Sequence, residues 1–423
     1  MQEVLLVDPP GEVNLNLPNL ALAWAAARLE CDVVDLHARP LPVGRLLGRE
    51  AERVVFSVRP HTLEVCEDLR RRILARHGRT RVLSLAGPVD VQCCYPFLSP
   101  WERLRVEMPF NDSLPHPAWE RFDSFNYLRA NWRSGFWGYP VMTSLGCPFG
   151  CVYCAARHRP WRPRSAAHVV EELEWARARF GVRTFEIIDD VFNLDEARAI
   201  AFCERVAGLE LSWSCVNGLR ADRFSDAQAR AMARAGCVQV GFGVESVDPE
   251  VLARSGKGET LDQIEWAVRT AHKHLREVCV FLIVGLPGSS EASDHAALRW
   301  VERMGVKAYF SYFVPESAGA AREAEEAFSS STTTTSSSSS SSFAFFGSMA
   351  HPSDEAYPAE RQRAVYEVAR RLNREGYWRS GLPLAVARAT LRAARLYDGW
   401  SWVNHLRHLG RRALPTLLRG EIQ

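Results

Sequence analysis

Cys147-Pro148-Phe149-Gly150-Cys151-Val152-Tyr153-Cys154 places three thiols at C-x3-C-x2-C spacing. A lone C-x2-C pair would suit zinc or redox chemistry. Three soft thiolates in so tight a run can instead hold three irons of a cubane cluster and leave the fourth iron open. An open iron binds a substrate-like ligand, so the run marks a reactive site. Pro148 and Gly150 suit a loop that wraps closely around such a cluster. The competing reading is a structural zinc site, or unrelated thiols among the 11 cysteines of the chain.

From residue 141 onward, strand and helix patterns alternate. The predicted strands are 141–145, 184–188, 210–216, 238–243, 277–284 and 308–314, and the predicted helices are 166–179, 195–206, 225–235, 260–275 and 290–304. Alternation of this kind predicts a parallel sheet. Ser225-Asp226-Ala227-Gln228 reads as a capping box that starts one of the helices.

With Tyr153 as the aromatic before the third cysteine, the sequence resembles the radical S-adenosylmethionine (radical SAM) superfamily. The resemblance implies a partial (β/α)6 TIM-like barrel over 141–317. It also implies a [4Fe-4S] cluster on Cys147, Cys151 and Cys154, and S-adenosylmethionine as cofactor. The cofactor's amino and carboxylate groups would chelate the open iron. One electron from the cluster would then release methionine and a 5′-deoxyadenosyl radical.

The same resemblance carries a set of cofactor contacts. Phe185-Glu186-Ile187-Ile188-Asp189-Asp190-Val191-Phe192 resembles an F-x-D-D-x-F element, so Asp189 and Asp190 are expected to accept from the methionyl ammonium. Asn193 or Asp195 is the better cap for the helix that follows. Gly241-Phe242-Gly243-Val244-Glu245-Ser246 matches a G-x-E-S element, which assigns Gly243, Glu245 and Ser246 to the ribose and methionine parts. Val284-Gly285-Leu286-Pro287-Gly288 resembles a G-x-P-G turn, which places Gly285 and Pro287 at the adenine edge. Arg220 is expected at the cofactor carboxylate, unless it simply pairs with Asp222. Arg162 or Arg164 is either a carboxylate ligand or part of a solvated basic loop. Lys257 resembles a K-G element and reads as structural. Trp132, Trp137 and Trp213 either line a substrate pocket or pack the core, the more frequent use of such residues.

Toward the N-terminus, strands at 2–8, 31–37, 53–58 and 81–87 alternate with helices at 19–30 and 62–76. This segment, 1–107, resembles a Rossmann-like cobalamin-type domain. It lacks the D-x-H-x-x-G sequence, and the family's next helix, fifth strand and G-E-G-E turn are not legible after Gly87-Pro88, so the domain reads as truncated. If cobalamin binds, Ser57 and the 86–88 turn should face the corrin. Residues 108–140, with LPHPAWERFD at 114–123, read as an ordered linker with little regular structure. Residues 318–354 read as a flexible linker around fourteen consecutive Ser and Thr at 329–342. Residues 355–423 read as a helical domain capping the barrel. They hold no cysteine, which argues against an auxiliary cluster.

A formal charge of +2 and scattered arginines require neither nucleic acid nor any highly charged partner. No run of 18 apolar residues is present and no signal peptide is legible, so no membrane span is expected and the reading is cytoplasmic. The remaining cysteines read as small core residues, with a catalytic role at Cys93-Cys94 as the alternative. The expected activity is that of a radical SAM enzyme on a small-molecule substrate, supplied with electrons by a donor such as flavodoxin or ferredoxin. Cobalamin-dependent C-methylation leads. A cobalamin-independent use of the radical for rearrangement, cyclisation, epimerisation or dehydrogenation stands beside it, and a non-catalytic degenerate barrel is the third reading.

Overall fold

A computed structural model describes residues 2–10, 19–36, 38, 46–58, 62–86, 101–154, 156–313, 357–379, 382–397 and 399–409. The Ser/Thr tract, Cys93-Cys94 and the Gly87-Pro88 turn lie outside the described residues. The chain forms two units. The first holds residues 1–129 and 397–406; the second holds 130–319 and 346–396.

The first unit is built from β1 (Gln2–Asp8), α1 (Leu20–Leu29), β2 (Asp32–Asp35), β3 (Ala51–Phe56), α2 (Leu63–Arg76), β4 (Arg81–Ala86) and β5 (Arg103–Arg105). Its five strands are all parallel, in the order β2-β1-β3-β4-β5. Leu5, Leu6 and Val7 of β1 are wholly buried, as a central strand covered on both faces requires. The fifth strand, expected to be missing, is present as a three-residue edge on β4. Its Arg-Leu-Arg sequence is too short to announce itself by periodicity. The linker is also more regular than expected, since α3 (Phe125–Ser134) occupies its middle.

The second unit carries β6 (Tyr139–Val141), β7 (Ser144–Leu145) and β8 (Arg162–Pro163), then α4 (Ala166–Phe180) and β9 (Thr184–Ile187). It continues through α5 (Glu196–Val206), β10 (Ser212–Leu219), α6 (Asp226–Arg234) and β11 (Cys237–Glu245). The rest of the barrel is α7 (Pro249–Arg254), α8 (Leu261–His274), β12 (Glu277–Val284), α9 (Glu291–Met304) and β13 (Lys307–Tyr312). Six parallel strands follow one another as β6-β9-β10-β11-β12-β13, a (β/α)6 partial barrel. The first strand begins two residues earlier than expected and breaks after Val141, where the chain turns into the β7–β8 hairpin.

Side-chain caps set the helix starts. Asp195 caps α5. Thr260 and Gln263 form a reciprocal capping box on α8. Ser225 accepts from the Gln228 backbone N–H, but Gln228 does not answer it; its side chain turns into the core. Between helices and sheet, Phe185 stacks on Trp213 at 5.5 Å, and Phe202 and Phe192 close the cluster edge-on. Trp132 packs on Tyr139 and Phe180. Trp132 and Trp213 are therefore core residues.

Among the described C-terminal residues, α10 (Ala359–Arg379) packs on β13 and α9, with Tyr366 against Tyr312 at 4.5 Å. α11 (Leu382–Ala393) follows in the same unit. α12 (Gly399–His408) lies largely within the first unit, where Tyr397 stacks on Tyr127.

Arg164, considered above as a ligand-binding arginine, is wholly buried, and its guanidinium lies 2.6 Å from Glu172. It also donates to the Met142 carbonyl, while Tyr139 donates to Glu172. Removing one member of a buried pair strands the other charge. Arg164→Met should therefore lower stability by roughly 3–5 kcal/mol in denaturant titration. Arg164→Met with Glu172→Leu should recover most of that loss.

Candidate active site

The three-cysteine loop is closed at its base. β7 and β8 pair antiparallel, Ser144 opposite Pro163 and Leu145 opposite Arg162. Just inside, Arg159 N donates to the Cys147 carbonyl at 2.9 Å, and His158 N to that of Phe149 at 2.9 Å. Gly146 sits at φ +90°, and a Cβ there would fall 2.2 Å from the Pro160 carbonyl oxygen. Only glycine lets entry and exit cross so closely. Arg162 is exposed on the hairpin.

Cys151 is buried; Cys147 and Cys154 are half-buried. Burial pushes the Cys147 thiol up and that of Cys154 to about 12, and the neighbouring thiols add to both shifts. Crowded thiols of this kind are what a metal centre converts to thiolates. Among the described residues, no three His, Cys, Asp or Glu side chains are grouped to hold a single metal ion. A cubane makes no such demand, because each thiolate meets a different iron.

The expected contact residues all lie at the carboxyl ends of strands, where barrels build their sites. They divide into different jobs. Asp189 is committed internally: it accepts from Thr143 N at 2.6 Å, Thr143 Oγ1 at 2.5 Å and Ser144 Oγ at 2.7 Å. It ties the end of β9 to the chain leaving β6, and burial raises its carboxyl to about 6. Asp190 accepts from Gly146 N at 2.9 Å and so holds the entry of the cysteine loop. Arg220 donates to Asp222 at 2.9 Å and to the Lys257 carbonyl at 2.9 Å, and lies 3.5 Å from Glu259. Its guanidinium sits 3.4 Å over the Phe149 ring, inside the loop itself.

β11 ends in a register shift between Gly243 and Glu245. Glu245 then adopts φ +63°, a left-handed conformation rare for a side-chain-bearing residue. Its carboxylate folds back across Gly243 and accepts from Lys257 Nζ at 3.0 Å. A Cβ on Gly243 would lie 2.2 Å from that same oxygen and 2.6 Å from Nζ, so the glycine supplies the space for the pair. Glu259 lies 3.6 Å from Lys257 and accepts from Ala221 N at 3.0 Å. Ser246 is buried and accepts from Asp248 N, turning the chain into α7.

At β12, Gly285 has φ +79° and donates to Asp294 at 3.1 Å. Burial raises the Asp294 carboxyl to about 6. Gln362 of α10 faces Gly285, and Pro287 lies in the following turn before α9. Lys257, read from the sequence as structural, is so placed, but its pairing with Glu245 was not legible, and Glu259 and Gln362 were not singled out. Gly256 and Gly258, which bracket Lys257, are an unusual setting for a solvated lysine.

Inside the barrel, alternation separates two faces. Residues buried against helices alternate with partly accessible ones facing the lumen, as in the patterns of β9 and β13. Phe185 and Trp213 face the helices, so Glu186 and Ser214, opposite one another in register, face the lumen. Phe281 and Tyr309 stack there at 5.4 Å.

In the first unit, the strand order reverses between β1 and β3, and such a switch point is where doubly wound sheets bind ligands. Asn19 donates there to Asp8 and to Ser57, each at 3.1 Å, and all three are buried. Ser57, expected to face a ring, stands at this switch point and accepts from Asn19.

The radical SAM superfamily profile matches residues 141–301. An uncharacterized methyltransferase of Pyrococcus horikoshii is 32% identical over 200 residues, covering 46% of this chain and 42% of that protein. The chain thus matches about two-fifths of that relative's length. Two structures of the radical S-adenosylmethionine methyltransferase TsrM from Kitasatospora setae are similar in fold. One has tryptophan substrate and a SAM analogue bound, with a TM-score of 0.60 at 17% identity over 74% of this chain and 73% of that one. The other has cobalamin and a [4Fe-4S] cluster bound, with a TM-score of 0.58 at 18% identity over 74% and 75%.

Glu186 provides a test of the lumen. Burial raises its carboxyl to about 7, against the opposing effect of the Ser214 hydrogen bond. The folded state therefore holds a proton that the unfolded chain gives up near pH 4.5, and stability falls as pH rises from there through about 7. Glu186→Gln should melt higher than the parent protein at pH 8, and the gap should narrow at pH 5.

Proposed function

We propose, from the premise that residues 141–301 are a radical SAM domain, that the chain is an enzyme cleaving S-adenosylmethionine reductively at a [4Fe-4S] cluster on Cys147, Cys151 and Cys154, and that it methylates carbon of a small molecule with cobalamin as methyl carrier. The observation that carries this reading is the closed cysteine loop, held at its entry by Asp190 and at Phe149 by Arg220, at the carboxyl ends of a six-stranded parallel barrel. When bound, the cluster with S-adenosylmethionine supplies a hydrogen-abstracting radical, and cobalamin supplies a methyl group. The protein's part is to hold and exclude. Glu245 has one carboxylate oxygen on Lys257, and its second is the acceptor proposed for the cofactor's hydroxyl or ammonium groups. The Gly285–Pro287 turn offers backbone to an adenine edge. The lumen face with Phe281 and Tyr309 receives the substrate. A small electron carrier such as flavodoxin or ferredoxin is the proposed reductant. Among the described residues, no helix is long and apolar enough to cross a membrane.

The parallel five-stranded sheet with its switch point, and the fold likeness to a cobalamin-bound structure, support cobalamin. The hydrogen bond that Ser57 accepts from Asn19 favours the second reading, in which the radical acts on substrate without cobalamin.

Anaerobically reconstituted protein should carry about four iron and four sulfide per chain, and the Cys147→Ala/Cys151→Ala/Cys154→Ala variant none. A full cluster in that variant would remove the assignment. After incubation with hydroxocobalamin and desalting, corrin absorption should stay with the protein. Its loss would leave the cobalamin-free reaction as the function.

A further inference from the structure

The segment Ser255–Glu259 lies directly against the cysteine loop. Val152 N donates to the Ser255 carbonyl at 2.9 Å. A Cβ on Gly256 would sit 2.9 Å from the Gly150 carbonyl oxygen. From this segment Lys257 sends its ammonium back under the loop, 3.0 Å from Glu245 and 3.6 Å from Glu259, with its side chain only 7% exposed. Its carbonyl accepts from Arg220, whose guanidinium covers Phe149.

We infer that Lys257 is the positioning residue of this centre: it pins Glu245 across Gly243 with one carboxylate oxygen left for the cofactor, and, from a segment packed on Gly150 and Val152, it sets a fixed buried positive charge under the cysteine loop. Several features converge on this geometry. The strand bulge and left-handed backbone at Glu245 accompany the turn of its carboxylate back toward Nζ. Gly243 is required to clear the path. Burial alone would lower the ammonium's pKa, yet Glu245 and Glu259, with a smaller push from Cys151, hold it above the ordinary lysine value. A permanent cation beside a cluster favours the reduced, more negative form, since net charge near the irons sets the potential. Lysine as a fixed charge thus links cofactor seating to electron uptake, acting through Glu245 and Cys151 rather than by touching a reacting atom.

The inference rests on the cluster assignment above, and the two fail differently. Redox titration of reconstituted protein, followed by electron paramagnetic resonance, reads the cluster potential, and calorimetry reads S-adenosylmethionine affinity. In Lys257→Met the midpoint should move to more negative potential and the cofactor should bind roughly tenfold more weakly, about 1.4 kcal/mol. Lys257→Arg should keep the midpoint near that of the parent protein. In Lys257→Met with Glu245→Gln, no net charge is removed from the pair, so the midpoint should move back toward the parent value while binding stays weak. Gly243→Ala should weaken binding with Lys257 intact. A Lys257→Met protein that loads its cluster with unchanged midpoint and affinity overturns the inference. So does an arginine variant that shifts as the methionine variant does. If the single methionine variant loads no cluster, the charge-balanced double variant decides by the same two readouts. Parent protein that binds no cluster overturns instead the assignment of the three thiols.

Discussion

Five charged side chains, two cations and three carboxylates, meet beneath the cysteine loop, and the arrangement of the barrel mouth depends on their pairing. Lys257 and Arg220 face Glu245, Glu259 and Asp222 at the ends of β10 and β11. No one of them is tolerable alone in such burial, because an unpaired buried ion costs several kcal/mol. The network therefore fixes how far these strands extend, where each turns, and where the loop between β7 and β8 rests. Its cations come from the turn after β10 and from the loop after α7; its anions come from β11 and the same two segments. That distribution locks separate βα units at one point. A barrel that does not close into a full ring needs such a lock, since strand pairing alone leaves its mouth free to splay.

Two adjacent aspartates show how economically the same mouth is built. Asp189 turns to Thr143 and Ser144 and stabilises the scaffold; Asp190 turns to Gly146 and sets the loop. Both were expected to bind the cofactor, on their resemblance to an F-x-D-D-x-F element at a strand end. Their scaffold bonds depend on the direction of each carboxylate relative to donors that lie 44 to 46 residues earlier, and no local pattern encodes that.

The fold was largely legible. Apolar runs of strand length separated by amphipathic helices gave all six barrel strands, and in the case of β12 the boundaries themselves. The misses share a cause. β5 has three residues, two of them arginine, and is a strand only because β4 offers it an edge. α3 lies among prolines and aromatics whose composition hid a ten-residue helix. In the site, the three cysteines were legible because their close, fixed spacing is itself a local pattern, and Lys257 was legible as a structural residue; its partners, with Glu259 and Gln362, come from contacts between distant segments. Gly243 was read from a motif as a cofactor contact; what only the folded chain shows is that it clears space for a carboxylate and an ammonium.

The alternation along the strands carries the remaining functional argument. If the barrel interior were only a core, lumen-facing positions would be as dry and apolar as those under the helices. Instead β13 offers Lys307, Tyr309 and Ser311 inward, and β9 offers Glu186, while the intervening residues are sealed against helices. Burying a carboxylate and an ammonium in a lumen costs stability. A sheet that needed nothing but packing would gain from apolar residues at those positions. Glu186, Lys307 and Ser311 are thus a cost that packing alone does not explain, and they share with Phe281 and Tyr309 the lumen face proposed above to receive the substrate.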